Sequence, residues 1–145
     1  MSLSLLLEMA VSAEPNRTAV VSDGVRLTAG ELSALADGGA GVVSATAAQT
    51  VVYVGTGGAM LPLLMFSAAR AALPFCPLNY RLSGSGLFEL ISRLPEPMVV
   101  ADREYVGVLA GAGRRIIESA EFLAAAGRTA AVDEFADPDG VGVVL

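Results

Sequence analysis

Histidine and lysine are both absent from the 145 residues, and cysteine occurs once, as Cys76. Without imidazole the chain lacks the commonest general base and the commonest zinc ligand. One cysteine excludes an internal disulfide and any cysteine-built metal site, and it fits a reducing cytoplasm. The nine cations are all arginine, set against 15 acidic residues, for a net charge of -6. An acidic chain without a basic run is a poor match for nucleic acid, whose binding rests on phosphate neutralisation, and for anionic lipid. No stretch is suited to spanning a bilayer. The longest apolar segment, residues 59–73, contains Pro62, Ser67 and Arg70 and falls short of the ~20 residues required. The first residues lack a basic run and are split by Glu8, which argues against a secretory signal. The expectation is a cytoplasmic protein with no integral membrane segment and no nucleic-acid partner.

Hydrophobic residues make up 54% of the chain and charged residues 17%, which excludes a disordered tail. The length suits one domain able to bury about 68–70% of its unfolded surface. The apolar share exceeds the roughly 45–50% usual for soluble domains, which points to surface that lies against something else.

Leu3, Leu6, Leu7 and Ala10 recur at helical spacing and predict an amphipathic first helix ending before Pro15. Two β-prone runs, 18–22 and 25–28, flank Asp23-Gly24, a strong signal for a two-residue hairpin. Thr28 and Glu31 have capping-box spacing, and Leu32, Leu35, Ala36 and Val43 mark the buried stripe of the helix they start. Gly38, Gly39 and Gly41 should weaken its second half. Residues 50–54 read as a strand covered on both faces. Residues 59–72 read as a helix apolar nearly all round and therefore buried. There follow a strand at 74–77, a helix at 86–94 stopped by Pro95 and Pro97, a strand at 98–101, a helix capped by Asp102, and a strand at 115–118. A last helix capped by Ser119 should end at Gly127, and the apolar residues 141–145 read as a final strand.

Strands alternating with helices from Thr50 onward predict an α/β fold, a mostly parallel sheet with helices on both faces. The final strand would leave an unpaired apolar edge, which templates association with a second copy. Chemistry is harder to find. Gly55-Thr56-Gly57-Gly58 lies between a strand and a helix, the place for a phosphate-cradling turn. However, the dinucleotide fingerprint would require glycine where Met60 stands, and a P-loop would require lysine. It reads as a flexible connecting turn. Cys76 has no imidazole to activate it and reads as a small core residue. Arg114-Arg115 reads as a solvated pair, and Asp133, Glu134, Asp137 and Asp139 as a solvated acidic loop without calcium-site spacing. No residue is assigned a catalytic, cofactor-binding or metal-binding role.

Several segments together resemble the start of the adenylate-forming enzymes, the superfamily of acyl-CoA synthetases, firefly luciferases and peptide-synthetase adenylation domains. Pro15-Asn16-Arg17-Thr18-Ala19-Val20 resembles the family's opening P-x-x-T-A-V. Leu27-Thr28-Ala29-Gly30-Glu31-Leu32 resembles its first core motif. Residues 66–79 resemble the second, with Ala72 where glycine is usual, and Pro97 to Asp102 resembles P-x-x-V-x-D. Pro77-Leu78-Asn79-Tyr80-Arg81-Leu82-Ser83 is similar to the form found in acid–CoA ligases, whereas amino-acid adenylation domains more often carry Asp at the position of Asn79. The final residues, Asp139 to Leu145, resemble the strand entering the family's lysine-containing phosphate loop. The resemblance implies residues 1–145 as a single domain, the N-terminal part of the family's large domain, ending before that loop. It implies an acyl-CoA synthetase that uses ATP, Mg2+ and CoA to activate a carboxylic acid, with a fatty or related acid favoured. The chain alone would be inactive, and its partner would be the downstream part of its own polypeptide. The alternatives are a non-catalytic α/β scaffold and, less favoured, an amino-acid adenylation domain.

Overall fold

The computed structural model describes residues 3–22, 24–78, 81–82, 84–110 and 115–136, with side chains described as far as 129. Asp23, Asn79, Tyr80, Ser83, Arg114, Asp137, Asp139 and the expected terminal strand at 141–145 lie outside the described residues.

The elements run α1 (Leu3–Ala13), β1 (Thr18–Ser22), β2 (Val25–Thr28), α2 (Ala29–Ser44), β3 (Thr50–Val54), α3 (Met60–Arg70), β4 (Phe75–Leu78), α4 (Gly84–Ser92), β5 (Pro97–Ala101), α5 (Arg103–Leu109), β6 (Ile116–Glu118) and α6 (Ser119–Ala136). β1 and β2 form the expected antiparallel hairpin, with Ser22 opposite Val25 and Gly24 at φ 80°. The larger sheet is wholly parallel in the order β4-β3-β5-β6. Its central strands alternate between two cores, as period-two side chains must. Val51, Tyr53, Met98 and Val100 pack under α1, α2, α3 and α6, while Val52, Val54, Val99 and Ala101 pack under α4 and α5. The α/β sandwich expected from the sequence is therefore the one observed.

Local chemistry explains the element boundaries. The Thr28 hydroxyl accepts from the Glu31 amide at 3.1 Å, and the Glu31 carboxylate accepts from the Thr28 amide at 2.9 Å, a complete capping box. Pro62 sits in the first turn of α3, where its missing N–H leaves no bond unmade. Pro77 occupies β4, an edge strand among the described residues, where a missing donor is tolerated and discourages further pairing.

Five expectations fail in these elements. The glycines of α2 do not weaken it but permit close packing. A Cβ on Gly39 would collide with Ser67 and stand 3.1 Å from the Phe122 ring, and one on Gly41 would stand 2.9 Å from the Thr129 methyl. Gly127 does not end α6, which continues to Ala136 and carries Asp133 and Glu134 within the helix rather than in a loop. Docking on α2 outweighs the roughly 1 kcal/mol that one interior glycine costs. α3 is buried only along Leu63, Leu64, Ser67 and Ala68, with Leu61 exposed, because it lies over one sheet face with its outer side uncovered. In α1 only Leu7 of the expected stripe is buried, with Val11 packed beside it, whereas Leu3 and Leu6 are exposed.

The end of α3 holds a strained residue. Ala72 stands at φ 60°, its amide bonds the Ala69 carbonyl at 3.1 Å, and the Leu73 amide bonds the Ala68 carbonyl at 2.9 Å. This is a Schellman closure with alanine where glycine is preferred. A left-handed non-glycine residue costs about 1–2 kcal/mol, partly offset by the greater freedom glycine gives the unfolded chain. Ala72→Gly should therefore raise stability by about 0.5–1 kcal/mol, read as an increased urea midpoint with unchanged slope.

Candidate functional site

β3 and β5 are adjacent and parallel, but their chains leave in opposite directions. β3 feeds α3 on one face of the sheet, and β5 feeds α5 on the other. Such a divergence opens a crevice at the carboxyl ends of the strands, the place where open α/β sheets hold ligands. Here the crevice has a volume of about 430 Å³ and is bounded by the β1–β2 hairpin, the Gly55–Gly58 turn, the start of α3, and Leu123 of α6.

Asp102, at the end of β5, organises its floor. The sequence pattern places this residue as the cap of α5, and the structure corrects that assignment. The carboxylate makes no bond to the α5 amides, and the Tyr105 amide bonds the Asp102 main-chain carbonyl instead. The side chain turns toward β3. Its Oδ1 accepts from the Tyr53 hydroxyl at 2.9 Å and from the Ser119 hydroxyl at 2.7 Å, and its Oδ2 accepts from the Thr56 amide at 3.0 Å and shares the Tyr53 hydroxyl at 3.1 Å. The Thr56 hydroxyl lies farther from Oδ2, at 3.4 Å. Ser119, expected to cap α6 as an acceptor, is instead the first residue of that helix and a donor to Asp102. One carboxylate thus holds β3, the glycine turn, the end of β5 and the start of α6.

The phenol of Tyr53 is the second member. Burial, and then its hydrogen bond to Asp102, hold its pKa well above the usual tyrosine value, so it remains a donor. Its oxygen in turn accepts from the Gly57 amide at 3.2 Å. Gly55 is needed where it stands, because a Cβ there would collide with the Tyr53 hydroxyl and the Asp102 carboxylate. Gly57 and Gly58 supply the positive φ values, 100° and 62°, that fold the turn back.

The glycine turn is accordingly a fixed connection. The amides of Thr56 and Gly57 are spent on Asp102 and Tyr53, and a negative charge sits where a phosphate would need donors. Among the described residues no group of three His, Cys, Asp or Glu side chains comes together to hold a metal ion. The residues of this crevice do not fit a triphosphate or its Mg2+. Cys76 lies half-buried in β4 against the second core. Arg115 is exposed and pairs with Glu121 at 3.3 Å. Neither reaches the crevice.

Asp102 and Tyr53 are not legible as partners in the sequence because they are 49 positions apart. The available signal was a single tyrosine in the otherwise Thr-Val-Val-Val strand β3, whose hydroxyl needs a partner once buried.

No protein-family model matches the sequence, and no curated protein matches it. Solved structures do resemble the fold. The inhibitor-bound N-terminal domain of FACL13 from Mycobacterium tuberculosis superimposes with a TM-score of 0.78 at 18% identity, over 87% of this chain and 35% of that one. VinN, solved with 3-methylaspartate, gives 0.81 at 17% identity, over 91% and 38%. The putative long-chain-fatty-acid CoA ligase from Rhodopseudomonas palustris gives 0.72 at 20% identity, over 84% and 36%. The chain has the fold of the N-terminal domains of adenylate-forming enzymes, as the sequence resemblance implies. It spans little more than a third of the length of these structures.

The network gives two expected outcomes. Asp102→Ala removes the acceptor of three hydroxyls and one amide and should cost about 2–4 kcal/mol, whereas Asp102→Asn should cost clearly less. Equal urea midpoints for the two variants would contradict the network. Tyr53 titrates higher folded than unfolded, so its contribution is complete below the unfolded value of about 10 and is lost as pH rises beyond it. With no lysine to titrate in the same range, wild-type stability should fall more steeply than that of Tyr53→Phe between pH 9.5 and about 11.5, measured by urea unfolding.

Proposed function

We propose that this chain forms the N-terminal part of an adenylate-forming enzyme, and more narrowly of an acid–CoA ligase acting in the cytoplasm. The observation that supports the reading is the superposition of nearly the whole chain on N-terminal domains of such proteins, CoA ligases among them. The narrower assignment rests on Pro77-Leu78-Asn79-Tyr80-Arg81-Leu82-Ser83, which has the asparagine typical of acid–CoA ligases. In such an enzyme a carboxylate attacks the α-phosphorus of ATP, pyrophosphate leaves, and the acyl group passes from AMP to the thiol of CoA. That chemistry needs donors where charge develops on the phosphates, and in this family they come from lysine-bearing segments downstream of the region matched here.

This chain's own residues contribute a scaffold. The parallel strands and the Asp102–Tyr53 network fix one wall of the large domain, and the outer faces of α1 and α3 present Leu5, Met9 and Leu61 to whatever packs there. A second copy of the chain is one such occupant, and the downstream polypeptide is the one favoured by the reading proposed here.

Two measurements test it. The reading frame beyond Leu145 should continue into a Thr/Ser/Gly-rich segment containing lysine, and a stop codon there would favour a non-catalytic scaffold. The 145-residue chain should show no saturable heat with Mg-ATP and no pyrophosphate release with fatty acids. A helix N-terminus alone supplies about 0.3–1 kcal/mol toward an exposed anion, against about 8.2 kcal/mol for micromolar affinity.

A further inference from the structure

The crevice over β3 and β5 has a chemical character that its role as a scaffold leaves unused. Its sides are apolar, built from Val25, Leu27, Leu35, Met60, Leu63 and Leu123, while its floor carries the Asp102 carboxylate. Val25 and Leu123 are 43% and 40% exposed at the rim, so the apolar lining reaches solvent. The carboxylate is only partly buried, and each of its partners is a neutral hydroxyl or amide. Among the described residues no arginine forms an ion pair with it.

A partly desolvated charge with only neutral donors favours a mobile counter-ion of opposite sign, because Coulomb attraction strengthens as water is excluded. Anions are disfavoured for the same reason. The one long contact, the Thr56 hydroxyl at 3.4 Å, involves an exposed residue at the mouth, so a ligand N–H can take its place on Oδ2 without breaking the shorter bonds. A volume of about 430 Å³ lies within the ~300–1,000 Å³ range of small-molecule sites, which combine apolar walls with a few placed polar groups.

We propose that this crevice binds a small organic cation, an ammonium group on a short apolar body, with Asp102 as its counter-ion. The ammonium sits at Oδ2 beside Thr56, and the apolar body lies between the hairpin and Leu123. This site is independent of the adenylation reading, since it uses only residues of this chain and excludes the phosphates and carboxylates that reading concerns.

The test is an NMR titration of the 145-residue chain with hexylammonium, 1-hexanol and hexanoate. Hexylammonium should saturate and shift the amides of Thr56, Gly57 and Leu123, hexanol should bind at least tenfold more weakly, and hexanoate should leave those amides unmoved. Raising sodium chloride from 20 to 500 mM should weaken hexylammonium and leave hexanol unchanged. Asp102→Asn should remove the preference for the ammonium. Because that substitution also touches the network, Leu123→Arg provides a second variant: it places a cation at the exposed rim and should abolish hexylammonium binding with the unfolding midpoint retained. Equal affinity for hexanol and hexylammonium, absence of saturable binding, or shifts confined to other parts of the chain would overturn the proposal.

Discussion

The carboxyl end of this sheet depends on one carboxylate that receives donors from β3, the glycine turn and the start of α6. Asp102 ends the strand next to β3, and that adjacency brings its oxygens over the end of β3. Parallel strands place their carboxyl ends together, but they do not fix the loops that leave them. Here a charged acceptor does so. Hydrogen bonds to an ionised group are stronger than neutral ones, and each of the two oxygens serves donors from different elements. The turn, the phenol and the start of α6 therefore share a single point of attachment, and Gly55 has no side chain because that point lies directly above it.

The lower part of the fold relies on contact rather than polarity. α2 carries fully buried Ala36 and Val43 and close-packed glycines, so α3 and α6 approach its backbone nearly directly. Arg70 reinforces the α2–α3 contact, donating to the Ser33 carbonyl at 2.7 Å and to the Ser33 hydroxyl at 3.0 Å. Its side chain is only 11% exposed, which keeps these bonds away from competing water. The opposite sheet face is simpler, with Leu87, Ile91 and Leu109 of α4 and α5 covering it. Two different strategies thus cover one sheet: small residues and intimate helices on one side, larger aliphatics on the other.

Much of the fold was legible in the sequence because its signals are local. The Thr28–Glu31 spacing, the turn glycine between two β-prone runs, and the unbroken apolar run of β3 each act within a few residues. What could not be read depends on separation. Gly39 and Gly41 look like helix breakers until Ser67, Phe122 and Thr129 are seen against them. Gly127 looks like a stop signal until α6 is seen docked on α2. Asp102 carries a sound capping pattern, yet a buried phenol and a serine hydroxyl outcompeted the local amides for its oxygens. The crevice was illegible for the same reason, since its walls come from residues 22–123 of the chain.

The close fit of α6 on α2 also bears on the order in which the chain can assemble. Residues 50–118 supply the four described strands of the parallel sheet and both helices of its simpler face. α2 is made before all of them, and its glycine-lined surface waits for Phe122, more than eighty positions later in the chain. Such long-range closure is slow relative to local pairing. During synthesis the sheet can form while one of its layers still shows bare backbone, and this layer is the one most open to capture by a chaperone or a wrong partner.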